Sequence, residues 1–368
     1  MPNHSLFVIQ QRFVLGRGSE NAIFNYLRCL NGFRRTLVTG SISHNDQLIL
    51  ASAGIRTRIV KCHDSIGFPL SVLLDSVMHE SEVLDVNLSM FPCLDFPIYA
   101  FKDPSRIIYT LHGGVSRIEA VGSSRPVSDL GFGLVSDIQK KLISRTIGGF
   151  AAISDYMYKE IQRLYNPRQI FRIPNSIDTD YFVPTPKPEG NLRPAMLFVG
   201  GLYPRKGIHL LVKEMPRILR KYPDASLTVV GGGPLHDYLN QMSHKCGVRD
   251  RICFLDGISN DRLRELYWAS DIFITASLWE SFCLPVYESL ACGIPAIVRD
   301  SSALSELVDD PYSGVLGFKD EPEIVDRVSD CLEHYRQLRM FGRRFAERFS
   351  PERIAMLREK CYMKILNG

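Results

Sequence analysis

Between Asp271 and Arg299 the sequence reads DIFITASLWESFCLPVYESLACGIPAIVR. An apolar run, Asp271 to Thr275, ends in a short polar loop. Leu284 to Cys292 has helical character, Gly293 stops it, and Pro295 to Val298 reads as a second strand. Strand, loop, helix and strand in that order specify a parallel α/β sheet. Glu280 lies in the loop at the carboxyl end of the first strand, where such sheets bind ligands. Glu288 lies near the first turns of the helix. The two carboxylates are therefore expected to face one crevice, with loop amides and a helix N-terminus turned toward an anion.

At 368 residues the chain exceeds one ordinary core and suits two domains of roughly 150–200 residues each. An apolar content of 45% is enough for both to bury a core. No apolar run reaches the length of a membrane span. The N-terminus enters a strand at Ser5–Gln10 and lacks the pattern of a secretory signal, so a cytoplasmic location is expected. A net charge of +4 suits an anionic ligand or an anionic membrane face without selecting either. The nine cysteines form no CxxC pair and no His/Cys zinc spacing, so no metal site is expected. Basic residues interleaved with aromatics are missing too, which argues against nucleic-acid binding.

In the first half, residues 5–10 read as a strand. The loop QRFVLGRG follows, then a helix from Ser19 to about Leu30 that Ser19 is placed to cap. Gly16 and Gly18 suit either close approach of a ligand to the helix N-terminus or simple steric relief. Further strands are expected at 35–39, 57–61, 83–88, 150–153 and 170–173, with helices at 72–78 and 154–164. A strand at 107–111 ends in His112-Gly113-Gly114. His112 is either a capping residue or a side chain at the carboxyl end of the sheet. A helix is expected over 133–148, with Lys140, Lys141 and Arg145 on a face turned to solvent or to a membrane. Pro184, Pro186, Pro188 and Pro194 mark the domain boundary.

The second half restarts with a strand at 195–199, then Gly200-Gly201 and Arg205-Lys206-Gly207 before a helix to about Arg220. A strand at 227–230 enters Gly231-Gly232-Gly233-Pro234. That loop is neither a Walker loop nor GxGxxG. A strand at 251–255, a helix at 261–269 headed by Ser259, and helices at 321–331, 336–349 and 351–366 complete the pattern. Arg205, Lys206 and loop amides supply donors for a diphosphate, and the glutamates supply acceptors for hydroxyls. Together they suit a nucleotide sugar better than a plain nucleotide.

Several segments carry a resemblance to the retaining glycosyltransferase family 4. They are Gly16–Glu20, Ile173–Asp178, Val199-Gly200 with Lys206-Gly207, Gly231–Pro234, Leu266–Asp271, and above all Ser277–Phe282 with Leu284-Pro285, Glu288 and Ala291–Pro295. The resemblance runs nearly end to end. It implies an α/β, GT-B fold, with two Rossmann-like doubly wound parallel-sheet domains facing across a cleft. These are an acceptor-side domain at 1–180, a linker at 181–194, a nucleotide-sugar domain at 195–348 and a terminal helix at 349–368 crossing back to the first domain.

The resemblance further implies that Lys206 holds the donor diphosphate, Glu288 the ribose and Glu280 the transferred sugar. Phe282, Cys283 and Leu284 would meet sugar and phosphate through their amides, and Arg205 and Gly232 would join the donor site. His112 would reach the donor sugar, Gly16 and Gly18 the phosphate or acceptor, and Glu306 would be a further carboxylate of the pattern. The expected reaction is retaining transfer from a UDP- or GDP-sugar to a saccharide or lipid-linked hydroxyl, in polysaccharide, glycolipid or glycoconjugate synthesis. No cofactor is required, and peripheral contact with the inner face of a membrane is expected. Three positions depart from the pattern. Gly201 stands where an arginine is usual, Ser281 and Cys283 stand where the glutamate loop usually has glycines, and Ser176 replaces a glycine. They leave open a donor-binding subunit without turnover. A nucleotide-sugar 2-epimerase of the same build is the alternative enzyme.

Overall fold

In the computed structural model, which describes residues 4–10, 12–15, 18–60, 72, 80–87, 103–112, 141–142, 144–186 and 193–368, apolar runs become the strands of two parallel sheets. The chain divides into two units, Met1–Ser176 with Pro351–Gly368, and Ile177–Ser350.

The first unit opens with β1 (His4–Ile9), a two-residue strand β2 (Arg12–Phe13) and helix α1 (Gly18–Cys29). Next come β3 (Phe33–Thr39), β4 (Ser41–Ile42), α2 (His44–Ser52) and β5 (Arg56–Ile59). Then follow β6 (Val83–Val86), β7 (Ile107–Leu111), β8 (Gly149–Ala152), α3 (Asp155–Tyr165) and β9 (Ile170–Arg172). The main sheet has the order β5-β3-β1-β6-β7-β8-β9, all pairs parallel. Central strands β6, β7 and β8 are buried along their whole length, which is why their sequences are nearly continuous apolar runs.

The second unit carries β10 (Ala195–Val199), α4 (Ile208–Lys221), β11 (Ser226–Val230), α5 (His236–Lys245), β12 (Ile252–Leu255), α6 (Asn260–Ala269) and β13 (Ile272–Thr275). It continues through α7 (Leu284–Ala291), β14 (Ala296–Arg299), α8 (Ser305–Asp309), β15 (Val315–Phe318), α9 (Ile324–Glu333) and α10 (Tyr335–Ala346). Its sheet order is β12-β11-β10-β13-β14-β15, again all parallel. Residues before β10 are fastened to this unit. Trp268 Nε1 donates to the Val183 carbonyl, and Arg343 donates to the carbonyls of Thr179, Phe182 and Ala291.

The last helix, α11 (Pro351–Asn367), belongs to the first unit. Ile354, Ala355, Arg358, Cys361, Tyr362 and Ile365 form its buried stripe at helical spacing. Its apolar members join a core with Ile23, Tyr26 and Leu27 of α1 and with Val8, Val83 and Ile108 of the sheet. Arg358 is a guanidinium in the middle of that stripe, and among the described residues it is the largest fully buried side chain.

In both sheets the chain winds outward from a central strand on one side and then resumes on the other. The switch falls between β1 and β6 in the first unit and between β10 and β13 in the second. Loops after those strands diverge, and the gap at their carboxyl ends is the place where such sheets take a ligand.

The structure corrects the sequence reading at several points. Ser19 does not cap α1, because the helix already includes Gly18 and the Ser19 hydroxyl donates to Glu20 Oε2 at 2.6 Å. The helix expected over 133–148 does not extend to its end. Lys141 and Leu142 are helical, Ser144 to Thr146 form a turn, and residues before 141 lie outside the described ones. Of the helix expected at 72–78, only Val72 is described, and it is helical. Helix α2 and strand β15 were not anticipated. Ser259, expected to head its helix, accepts from the backbone amide of Arg262, and Ser154 accepts from that of Met157.

Candidate functional site

The second unit's switch point is built by the loops following β10 and β13. After β10, Gly200 to Tyr203 lead into a single 3₁₀ turn, Pro204–Lys206, ended by Gly207 at φ +66°. A β-carbon at Gly207 would lie 2.0 Å from the Ala276 carbonyl oxygen of the β13 loop. Glycine alone therefore lets the two loops meet. They are joined by the Leu278 amide, which donates to the Arg205 carbonyl at 2.8 Å. Arg205 Nη1 also donates to the Trp279 carbonyl at 3.3 Å. Its guanidinium is thus engaged with the glutamate loop.

At this junction Lys206 Nζ donates to Glu280 Oε1 at 2.5 Å, with side chains 18% and 8% exposed. Ser277, fully buried, donates its hydroxyl to the same oxygen at 2.7 Å. Burial works to raise the Glu280 pKa, but the Lys206 charge and its hydrogen bond, then Ser277, carry it below the ordinary value. The backbone is fixed as well, since the Glu280 amide donates to Ser302 Oγ at 2.8 Å. Ser277 and Ser302 were not foreseen. A serine in a polar loop gives no local signal of the oxygen it will contact after folding.

Beyond Glu280, Phe282 is buried and stacks on Tyr287 with ring centroids 4.0 Å apart and planes 3° from parallel. Phe349 meets the edges of both rings. Cys283 precedes the first residue of α7, Leu284, in the left-handed region at φ +73°, ψ +68°. Burial chiefly, and then Glu280, push its thiol well above the ordinary value, so it is no thiolate nucleophile. The thiol also feels the charge of Glu288, which places it near both glutamates.

Glu288 has a different partner. Tyr267 of α6 donates to Glu288 Oε2 at 2.8 Å. Burial pushes this carboxyl up to about 7, opposed by the Tyr267 hydrogen bond. Two glutamates one loop apart therefore differ in state: Glu280 is ionised and paired, and Glu288 titrates near neutrality.

Gly201 leaves room that is filled by a neighbour. A β-carbon there would lie 2.9 Å from the Tyr203 ring. At Gly232, a β-carbon would lie 2.2 Å from Asp256 Oδ2, and the Gly232 carbonyl accepts from the Leu202 amide. This loop therefore packs directly against the β10 loop. Glu306 lies in α8 and adds to the charge felt by Tyr287.

In the first unit, His112 follows β7, and Gly18 opens α1 on an exposed surface. Gly16 and the glycines after His112 lie outside the described residues. His112 Nε2 is 2.7 Å from Asn87 Oδ1, just beyond β6 at the first switch point. Burial and then the Arg358 charge push the imidazole down to about 4, against Asp85 and a hydrogen bond with Asn175. His112 is therefore a neutral ring. Ser176 is used structurally, its hydroxyl donating to the Ala22 carbonyl of α1 at 2.8 Å.

Among the described residues no group of three or more His, Cys, Asp or Glu side chains could hold a metal, and no helix is long and apolar enough to cross a membrane. A Lys–Glu pair lies at the parallel-sheet switch point, beside the loop that opens α7.

Comparison with known proteins places this architecture. Among solved structures, HepE of Anabaena bound to UDP and glucose superposes with a TM-score of 0.77 over 98% of this chain and all of that one, at 17% identity. The fold is GT-B, with two Rossmann-like parallel-sheet units. Residues 184–348, which hold Lys206, Glu280 and Glu288, match the family model described as Glycosyl transferases group 1. The chain is thus a GT-B protein related to the group 1 glycosyltransferases.

An uncharacterized glycosyltransferase of Methanocaldococcus jannaschii is 34% identical over 137 residues, 36% of this chain and 35% of that protein. A GDP-mannose-dependent α-(1-6)-phosphatidylinositol monomannoside mannosyltransferase of Mycobacterium tuberculosis is 29% identical over 196 residues, 49% of this chain and 50% of its own. A human phosphatidylinositol N-acetylglucosaminyltransferase component is 28% identical over 317 residues, 83% of this chain and 64% of that one. The chain matches between about a third and two thirds of the length of these relatives.

Proposed function

We propose that this protein transfers a sugar from a nucleoside diphosphate sugar, UDP- or GDP-linked, to an acceptor hydroxyl with retention at the anomeric carbon. The observation that carries this reading is the Lys206–Glu280 pair at the β10/β13 switch point, inside the segment that matches the glycosyltransferase model. Lysine has three N–H donors. Glu280 engages one of them and steadies the ammonium, and the others are directed to donor phosphate oxygens. Glu280 itself would accept from hydroxyls of the transferred sugar. Glu288 would accept from the ribose.

In the reaction the bond from the anomeric carbon to the β-phosphate oxygen breaks, and a bond to the acceptor oxygen forms on the same face. The acceptor proton passes to a phosphate oxygen of the leaving nucleoside diphosphate, so no strongly basic side chain is needed. Charge gathers on the leaving phosphate. Lys206 and the amides at Phe282 to Leu284 would stabilise it from fixed positions.

The acceptor is proposed to be a lipid-borne hydroxyl. Two of the relatives are named for phosphatidylinositol-based substrates, which supports this reading. Work at the inner face of a membrane is proposed with it. Calorimetric titration with UDP, GDP and their sugars tests the donor. Incubation with inositol lipids, followed by NMR of the anomeric configuration, tests transfer. Retained configuration in a lipid product is the expected result. Isomerised donor without transfer would favour the epimerase, and binding without turnover would favour a donor-binding subunit.

A further inference from the structure

Tyr267 of α6 is fully buried, and its ring is wedged between two others of the second unit. Phe182 meets it edge-on with centroids 5.9 Å apart, and Phe273 of β13 lies at 6.3 Å. The hydroxyl at the end of this fixed ring reaches two acceptors on α7. Glu288 Oε2 is 2.8 Å away and the Pro285 carbonyl oxygen 3.3 Å. Residues three apart share one face of a helix, so a single hydroxyl can serve both.

A phenol has one proton to give and an oxygen that also accepts. Burial, and then Glu288, hold the Tyr267 phenol well above its ordinary value, so it keeps that proton while Glu288 titrates. With Glu288 ionised, the carboxylate takes the hydrogen bond, because a charged acceptor gives the stronger one. With Glu288 protonated, the carboxyl O–H donates to the phenol oxygen, and the phenol proton turns to the Pro285 carbonyl. Every group then has a partner in both states, and the carboxyl need not move. The other titratable groups nearby are the thiols of Cys283, just before α7, and Cys292, just after it. Both feel Glu288, but burial raises them first, so they stay neutral. Arg343 of α10 and Arg264 of α6 act on Cys292. Among the described residues Glu288 forms no ion pair.

We infer that Tyr267 is a positioning residue for Glu288: its hydroxyl reverses its hydrogen bonds through the Pro285 carbonyl and so holds the carboxyl in one place in both protonation states. The inference rests on the transferase reading only for the ribose that Glu288 would meet. The reversal follows from the donors and acceptors alone.

The test is ¹³C NMR of nucleotide-free protein labelled at its glutamate carboxyls and tyrosine ζ-carbons. Signals are identified by their loss in Glu288→Gln and Tyr267→Phe. The wild-type carboxyl midpoint should lie at about 7, and the Tyr267 ζ-carbon should shift at the same midpoint while remaining a neutral phenol. Tyr267→Phe keeps the ring and removes the hydroxyl alone. Loss of the donor favours the neutral carboxyl, so the Glu288 midpoint should rise by about one pH unit. Affinity for UDP or GDP should fall about tenfold near pH 7, and about threefold of that loss should persist above both midpoints, where only position differs. A purely structural tyrosine would leave the midpoint where it was. A folded Tyr267→Phe protein whose midpoint is unchanged or lowered overturns the inference, as does affinity fully restored above both midpoints. A wild-type ζ-carbon that does not follow the Glu288 titration overturns it whether or not the variant folds. If the wild-type protein binds no nucleotide, the transferase reading fails, and the two carbon titrations still decide the role of Tyr267.

Discussion

The two units carry the same kind of sheet and treat buried charge in opposite ways. In the first, Asp85 and Arg358 are 0% and 1% exposed, walled in by Thr110, Tyr362 and Asn87. In the second, Lys206 and Glu280 sit at the sheet's carboxyl edge with the lysine 18% exposed. In the enclosed pair both Asp85 oxygens accept from neighbouring side chains, so it fixes geometry and offers no carboxylate oxygen to a ligand. A pair at the edge keeps lysine donors in reserve. The sheets share a topology; the ion pairs differ in depth, and only the shallower one would leave donors for the ligand proposed above.

This contrast yields graded predictions. Arg358→Met leaves Asp85 buried without its cation and should cost about 3–5 kcal/mol of stability, read from urea denaturation. Nucleotide affinity of the folded fraction should hardly change. Lys206→Ala should do the reverse, lowering turnover about 10²- to 10³-fold with little change in the unfolding midpoint. If Lys206→Ala unfolded the protein and Arg358→Met spared it, the assignment of the two pairs would be inverted.

A smaller effect belongs to Glu288. Its folded pKa, about 7, lies above the ordinary value of 4.5. The folded state therefore prefers the protonated carboxyl. The stabilisation this gives is complete below about pH 4.5 and is lost as pH rises through about 7. Ribose hydroxyls favour the ionised form, so nucleotide affinity should rise over the same upper range. Glu288→Gln should flatten both profiles, checked by thermal melts and by titration with UDP and GDP across that range. Smallest is Cys283→Gly. It removes a side chain from the left-handed region and should stabilise by up to about 1 kcal/mol, offset in part by glycine's greater unfolded freedom. Thermal melts at fixed pH measure it.

Much of the fold could be read from the chain because its strands are buried on both faces. Leu6–Ile9, Ile107–Leu111 and Ile272–Thr275 are short apolar runs that have few other uses. Helix α2 escaped notice because only Asp46 and Leu50 of it are buried, leaving almost no apolar periodicity. Its signal was the cap, Ser43 accepting from the Asp46 amide, which local pattern alone could have suggested. Strand β15 is four residues with a glycine inside, too short to stand out.

For the site, Lys206, Glu280 and Glu288 were legible as residue types in a resemblance, but their different states were not. The Tyr267–Glu288 contact spans 21 residues and the Lys206–Glu280 contact 74, and no local rule connects either pair. Asp85 and Arg358 are separated by 273 residues. The one local hint was a guanidinium at position 358 within an apolar helical stripe.

That separation also shapes how the protein is made. Helix α11 completes the first unit, yet the ribosome reaches it only after adding residues 177–350. At ordinary elongation rates that interval lasts roughly 10–35 s. Throughout it the nascent sheet holds Asp85 with no guanidinium to meet it and Ile23, Tyr26 and Leu27 with no helix to cover them. All residues of the second unit are therefore made before the first unit has its last helix, and the earlier-made sheet cannot be complete until α11 is added.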